Sequence, residues 1–328
     1  MSLADLKLRL AQSQGLIIAV VVFVLMFTLY IANHPAGLTV PVVTTAANKA
    51  VLLALVSMAQ TLPVLTGGLD LSVGMVFVMT NCLASTLVSG SPLEVALGIV
   101  VVLLAGAAAG FVNGAIVVYG RLQPIITTLA TGAVYYGIAL LLRPVPGGEV
   151  QEDLADFMTW TVFDTVPTSL LLLLAVVLLV WLPFRNSVVG RGCYAVGSAE
   201  GAAYMSGLPV GRSRLTAFTL SGLLAGIAGL MLTFVTFSGE ASAPIGGTYT
   251  LNSIAAVVIG GTSLYGGAGG AIGSIFGAFI LRTIDDLLFV FDLPPLWQPL
   301  FQGVVLLGAV SLGAARVFRI RNRLELFN

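Results

Sequence analysis

Six uncharged polar residues lie inside long apolar runs of this chain: Gln60, Asn81, Asn113, Thr127, Thr128 and Asn252. Amides and hydroxyls form hydrogen bonds without carrying charge. They suit a polar solute without charge, and they equally suit bonds between helices in lipid. The sequence allows both uses. A second polar concentration is the interval from Gly190 to Leu215, GRGCYAVGSAEGAAYMSGLPVGRSRL, which holds Arg191, Glu200, Arg212 and Arg214. Only 9% of the residues are charged, so four charges in one interval mark a segment that no bilayer would accept. No HExxH, no GxSxG, no P-loop GxxxxGK[ST] and no pair of intramembrane aspartates occurs in the sequence. The chain is therefore expected to be no enzyme and to carry no cofactor or metal of its own. Cys82 and Cys193 fall in very different segments and suggest neither a disulfide framework nor a metal site.

The elements that position these groups must be membrane helices. Of the 328 residues 58% are hydrophobic, and the mean hydropathy is +1.06, more apolar surface than a soluble domain of this size can hide. The 38 glycines suit helices that approach closely in lipid. The expected fold is all-α and polytopic, a single transmembrane domain over 1–328. Crossing about 30 Å of hydrocarbon takes roughly 20 apolar residues. On that measure about ten spans are expected, near 16–32, 47–66, 72–89, 93–119, 124–142, 168–184, 215–237, 249–264, 269–283 and 297–315. The first is expected to be a retained span and not a signal peptide, because it is long and lacks a clear cleavage site.

Ten crossings put both termini on one side. On this layout one face carries Lys7, Arg9, Arg121, Arg185, Arg191, Arg212, Arg214, Arg316, Arg319, Arg321 and Arg323, against Lys49, Arg143 and Arg282 on the other. Basic residues stay inside, so the termini and the 185–214 loop are expected to be cytoplasmic. The same rule accounts for the 316–323 tail, and no other basic patch offers a nucleic-acid site.

Within the 185–214 loop the residues from Ser198 to Gly207 read as a short helix. Ser198 is expected to cap its first turn, and Glu200 suits the positive end of its dipole. Gly207 is a left-handed stop, and Pro209 cannot continue the helix. A capped helix hung between spans is a part for touching something else, or simply a helical loop. Earlier in the chain, Gly67 and Gly68 break a helix, and Asp70 and Ser72 are expected to cap the next one at its cytoplasmic start. That corner is either a structural cap or a part of the pathway or of a partner contact. The stretch Gly67–Gly74 shares the pattern GGxxLxxG with Gly260–Gly267, a candidate internal repeat. Pro124 suits the first turn of a helix, and Thr127 and Thr128 either bond back to that helix or face a polar lumen.

Gly190-Arg191, Tyr194-Ala195-Val196-Gly197 and Glu200-x-Ala202-Ala203-x-x-Ser206-Gly207 together resemble the coupling loop of bacterial ABC importer permeases of the ribose and galactose type. The stretch GGLDLSVG at 67–74 is similar to a hallmark of that family, usually GGIDLSVG. The Asn113-Gly114 pair, the Pro124 to Leu129 block and the Gly-rich block from Asn252 to Ile280 resemble it too, so the likeness covers about residues 50 to 315. Two departures stand in the loop: Ser198 where the family often has Asn, and Tyr204-Met205 in place of a more polar pair.

The resemblance implies a type II ABC importer-like permease, the transmembrane subunit that passes a monosaccharide or small polyol across a bacterial inner membrane. It implies an ABC ATPase subunit that binds ATP and Mg, a periplasmic sugar-binding protein, and a second permease, identical or related. It also implies that Ser198, Glu200, Ala202, Ala203, Ser206 and Gly207 dock on the ATPase. The alternative is an ion-coupled secondary transporter of a small polar solute. Such a transporter would show acids at mid-membrane, whereas the layout above keeps the acids outside or at turns.

Overall fold

The computed structural model describes residues 14–305 together with Leu307, Gly308 and Ser311. Lys7, Arg9, the 316–323 tail and the second half of the span expected at 297–315 lie outside them. In chain order the elements are α1 (Gln14–Asn33), α2 (Val40–Leu65), α3 (Val73–Leu87), α4 (Pro92–Tyr119), α5 (Pro124–Leu142), α6 (Glu152–Thr159), the hairpin β1 (Thr161–Val162) and β2 (Val166–Pro167), α7 (Thr168–Asn186), α8 (Val188–Ser198), α9 (Glu200–Met205), α10 (Val210–Thr236), α11 (Ala243–Ile259) and α12 (Ala271–Val290). Residues 298–305 are also helical.

Among the described residues, six helices are long and apolar enough to cross a membrane: α1, α2, α4, α5, α7 and α10. The spans expected at 72–89 and 249–264 fall instead on the shorter apolar helices α3 and α11. The span expected to end at 283 falls on α12, which runs on to Val290. Its charges account for the extension: Arg282 pairs with Asp285 at 3.2 Å and Asp286 with Lys49 of α2 at 3.3 Å. Asp285 and Asp286, expected just beyond the span on its outer face, therefore lie within the helical extension. The helix α11 starts at Ala243, six residues before the expected span. The Ser242 side chain accepts from the Ile245 N–H, and Pro244 fits the first turn.

Glycine sets how closely the helices pack. Gly106, Gly110 and Gly114 recur every fourth residue along α4 and face Phe218, Gly222 and Gly226 of α10. Backbone touches backbone there, the small-residue packing expected where lipid supplies no hydrophobic drive between helices. Ser91 and Glu94 form a capping box that starts α4.

Between α2 and α3 the chain does not turn around at a surface corner. Gly67, in the left-handed region at φ 77°, ends α2. Residues 68–72 then run inward along α5: Gly68 lies against Pro124, the Leu71 N–H donates to Thr128 Oγ1 at 2.9 Å, and Ser72 lies beside Gly132. Four and eight residues along a helix are about 6 and 12 Å of rise, so α3 starts in the interior. The reverse construction follows α10. Residues 238–242 run inward from the opposite end of the bundle, where Gly239 pairs with Gly147 and lies against Ser85, and α11 starts inside. The two half-length helices meet at their first turns. The Gly74 N–H donates to Thr250 Oγ1 at 3.1 Å, and a Cβ on Gly74 would collide with the Gly246 carbonyl.

The two GGxxLxxG turns have a real local likeness and then diverge. Gly67 and Gly261 (φ 83°) end their helices in the same left-handed way, but 262–269 stays outside as a loop while 68–72 enters the bundle. The correspondence the fold does show is inverted: α2, an inward arm and α3 against α10, an inward arm and α11.

Gly74→Ala should be severely destabilising, since overpacking of a backbone contact costs about 1–3 kcal/mol or more. We expect loss of monodisperse protein in detergent, read by size-exclusion chromatography. Gly137→Ala, where a Cβ meets open space, should elute as the unaltered chain does.

Candidate functional site

The interior arm 66–72 is held by a buried polar network. Asp70 is 1% exposed. Its Oδ1 accepts the Ser72 N–H at 2.9 Å and the Ser72 hydroxyl at 2.6 Å, and its Oδ2 accepts the Ser221 hydroxyl of α10 at 3.3 Å. Asn113 Nδ2 donates to Ser72 Oγ at 2.7 Å, and Tyr135 places its hydroxyl 3.1 Å from Asn113 Oδ1. Ser72 does sit at the N-cap position of α3, but in helical dihedrals (φ −90°, ψ −11°) and without a capping bond. Asp70 and Ser72 thus fix an inserted arm, and the expected surface corner is corrected. The reason is that the bulk of donors on α4, α5 and α10 outweighs a cap that a surface turn would have used.

Four of the six polar span residues spend their groups on neighbouring elements. Besides Asn113 and Thr128 on the first arm, Asn81 holds the second: its Nδ2 donates to Thr233 Oγ1 at 2.9 Å and Ser238 O at 3.1 Å, and its Oδ1 accepts the Glu240 N–H at 3.0 Å. Asn252 Nδ2 donates to Gln302 Oε1 at 3.2 Å, and Gln302 passes on to Asp285 at 2.9 Å. Gln60 and Thr127 differ. Gln60 is fully buried with both amide atoms unpartnered among the described residues, and so is the Thr127 hydroxyl.

The 185–214 segment lies at the Gly67 end. The first helix in it, α8, is capped by Ser187, whose hydroxyl accepts the Gly190 N–H at 2.9 Å. Ser198 closes α8 and donates to the Tyr194 carbonyl at 2.9 Å. It is not the cap of α9; Ala199, extended at φ −162°, holds that position without a side-chain bond. Gly190, Gly192 and Gly197 disguise α8 in the sequence, which is why Ser198, expected to cap the next helix, instead ends this one. Glu200 is in the first turn of α9 as expected, and Arg214 grips both its oxygens at 2.7 and 2.6 Å. The far end of α9 has the left-handed stop. Gly207 has φ 76°, its N–H reaches the Tyr204 carbonyl at 2.9 Å, and the Leu208 N–H reaches that of Ala203 at 3.1 Å. Ser206 donates back to Ala202 O at 2.8 Å. Ala203 is buried against the chain itself, while Ala202, Tyr204 and Met205 face outward, the last two 73% and 85% exposed.

A family model described as "Branched-chain amino acid transport system / permease component" matches residues 42–310. The chain belongs to this permease family. It is 34% identical to the ribose import permease protein of Haemophilus influenzae over 262 residues, 78% of this chain and 80% of the relative. The corresponding protein of Bacillus subtilis is also 34% identical, over 79% and 80%. An autoinducer 2 import system permease protein of Yersinia pseudotuberculosis is 35% identical over 80% of this chain and 74% of its own length. No solved structure matches. The family match spans both inward arms and the 185–214 segment, so these belong to the permease body. Asp70 lies inside the bundle, so the expectation that the acids stay outside or at turns is corrected there; its carboxylate is spent as an acceptor for Ser72 and Ser221.

Proposed function

We propose that this chain is the membrane subunit of an importer that carries a monosaccharide or small polyol across the bacterial inner membrane. A separate ABC ATPase subunit powers it, a periplasmic binding protein delivers the solute, and a second permease completes the pathway. The observation that carries this reading is α9: a helix stopped at both ends, projecting exposed Tyr204 and Met205 from the end of the bundle where the basic residues gather. The sequence similarity to two ribose import permeases supports the sugar. Ten crossings follow if each inward arm and its half-length helix count as one. Both termini and α9 are then cytoplasmic, and the acidic 149–156 stretch is periplasmic. Ser198, Glu200, Ala202, Ala203, Ser206 and Gly207 belong to the ATPase-facing segment. Gln60 and Thr127, whose side-chain polar atoms have no partner among the described residues, are the pathway residues this reading favours. Asn81, Asn113, Thr128 and Asn252 serve it by holding the arms and helices that border the path.

Inverted vesicles loaded with the binding protein and ribose test the reading. We expect transport that needs ATP, and an ATPase subunit identified by mass spectrometry in the purified complex. Transport abolished by a protonophore at constant ATP would replace the importer with the ion-coupled carrier.

Sidedness has its own test. Asp153→Cys should react with an impermeant maleimide added outside intact spheroplasts, and Arg212→Cys should react only after lysis. The native thiols give a quiet background. Cys82 and Cys193 are free and buried, and burial pushes the Cys193 thiol up to about 12, so little reactive thiolate is present. Labelling of both introduced cysteines from outside would overturn the ten-crossing arrangement.

A further inference from the structure

The end of α8 is wedged between the two glycine turns. A Cβ on Gly197 would overlap the Leu65 carbonyl at the end of α2 and stand 2.5 Å from the Gly267 nitrogen. On the other side of the wedge, a Cβ on Gly266 would stand 2.7 Å from the Gly67 nitrogen and 2.8 Å from the Gly197 Cα. Three backbones thus meet with no side chain between them. Hydrogen bonds lock the group: the Gly267 N–H donates to the Leu65 carbonyl at 3.1 Å, and the Tyr194 hydroxyl of α8 donates to the Gly269 carbonyl at 2.9 Å. Each turn leads to a different inward element. Gly67 opens the arm that carries Asp70, and the 262–270 loop connects the C-terminal end of α11, at the same end of the bundle as Gly67, to α12. One extended residue, Ala199, separates the wedge from α9.

From this we infer that Gly197 is a positioning residue for transport, the joint through which displacement of α9 reaches the 66–72 arm and α11 together. Close-packed backbone has no soft side chain to absorb a shift, so a rigid displacement on one side is passed to the other. The two elements driven from this joint are the ones whose first turns meet at Gly74 and Gly246, so a single displacement at the surface acts on an interior contact. The inference rests on the importer reading above, in which α9 is the surface the ATPase moves.

Gly197 has ordinary helical dihedrals, so Gly197→Ala strains no φ, but its methyl overlaps the Leu65 carbonyl and must push the glycine turns apart. Unlike Gly74, it lies at the surface end of the bundle, where the loop can give. We expect the variant complex to keep its ATPase subunit and its basal ATP hydrolysis, to lose at least tenfold in uptake, and to lose stimulation of ATP hydrolysis by the loaded binding protein. A packing role elsewhere would not separate basal from stimulated hydrolysis. A second measurement does not depend on that variant folding. Leu71→Cys in the otherwise native complex should change its maleimide labelling rate between the nucleotide-free and vanadate-trapped states. Equal labelling of Leu71→Cys in both states, or wild-type uptake by an assembled Gly197→Ala complex, overturns the joint. If the unaltered chain retains no ATPase at all, the importer reading fails instead.

Discussion

Asp70→Ala is expected to yield protein that is synthesised but not stably folded. The substitution strips the acceptor from the Ser72 N–H, the Ser72 hydroxyl and the Ser221 hydroxyl, all in a site closed to water. An orphaned buried donor costs about 1–3 kcal/mol, and with the hydroxyls partly able to rotate elsewhere the total is about 3–5 kcal/mol. That is a large share of the stability of a typical domain. The measurement is the thermal midpoint in detergent, which should fall far below that of the native chain. Asp70→Asn keeps one oxygen for the Ser72 N–H and should recover most of the loss. A native midpoint for Asp70→Ala would mean that the arm is held by packing alone. A stable Asp70→Asn protein that fails to transport would give the carboxylate a role in the pathway.

The second large effect is expected at α9. Ala202 faces outward, and Ala203, beside it, is 4% exposed against the chain itself. Ala202→Glu should therefore leave the permease folded and place an unpaired charge in whatever groove receives the helix. Burying one partnerless charge costs about 3–5 kcal/mol, and since each 1.4 kcal/mol is about tenfold, ATPase affinity should fall at least a hundredfold. The readout is ATPase retained per permease after purification, with thermal stability as the control. Retention at the native level would remove α9 as the docking element. Substituting Ala203 at the same time, as the sequence alone would invite, mixes a loss of folding into the result.

Much of the fold was legible because two signals act over many residues. Apolar runs near membrane thickness located α1, α4, α5, α7 and α10, and Pro124 and Gly207 marked helix ends whose geometry the structure retains. What escaped the sequence was depth. The residues of the 66–72 arm look like an exposed corner because glycine, aspartate and serine prefer turns. Their burial is decided by partners at Asn113, Thr128, Tyr135 and Ser221, and nothing local announces those contacts. Ser221 and Tyr135 are two among several hydroxyls on otherwise apolar helices, and no spacing singles them out. The misplaced cap at Ser198 has a similar origin: Ser187, eleven residues earlier, starts a helix that a Gly-rich stretch disguises.

The inserted arm also constrains how the chain can be made. Residues 66–72 leave the ribosome early, but the Ser221 hydroxyl that completes the Asp70 site comes 151 residues later. At about 5–20 residues per second, synthesis of that interval takes on the order of 10–30 s. During that time the half-length helix α3 has neither the length to span the bilayer alone nor the donors that make its polar approach tolerable in lipid. The arm has all its polar partners only once α4, α5 and α10 have been made. Biogenesis of this protein is then assembly around a late-docking piece, and not a simple sequential threading of spans.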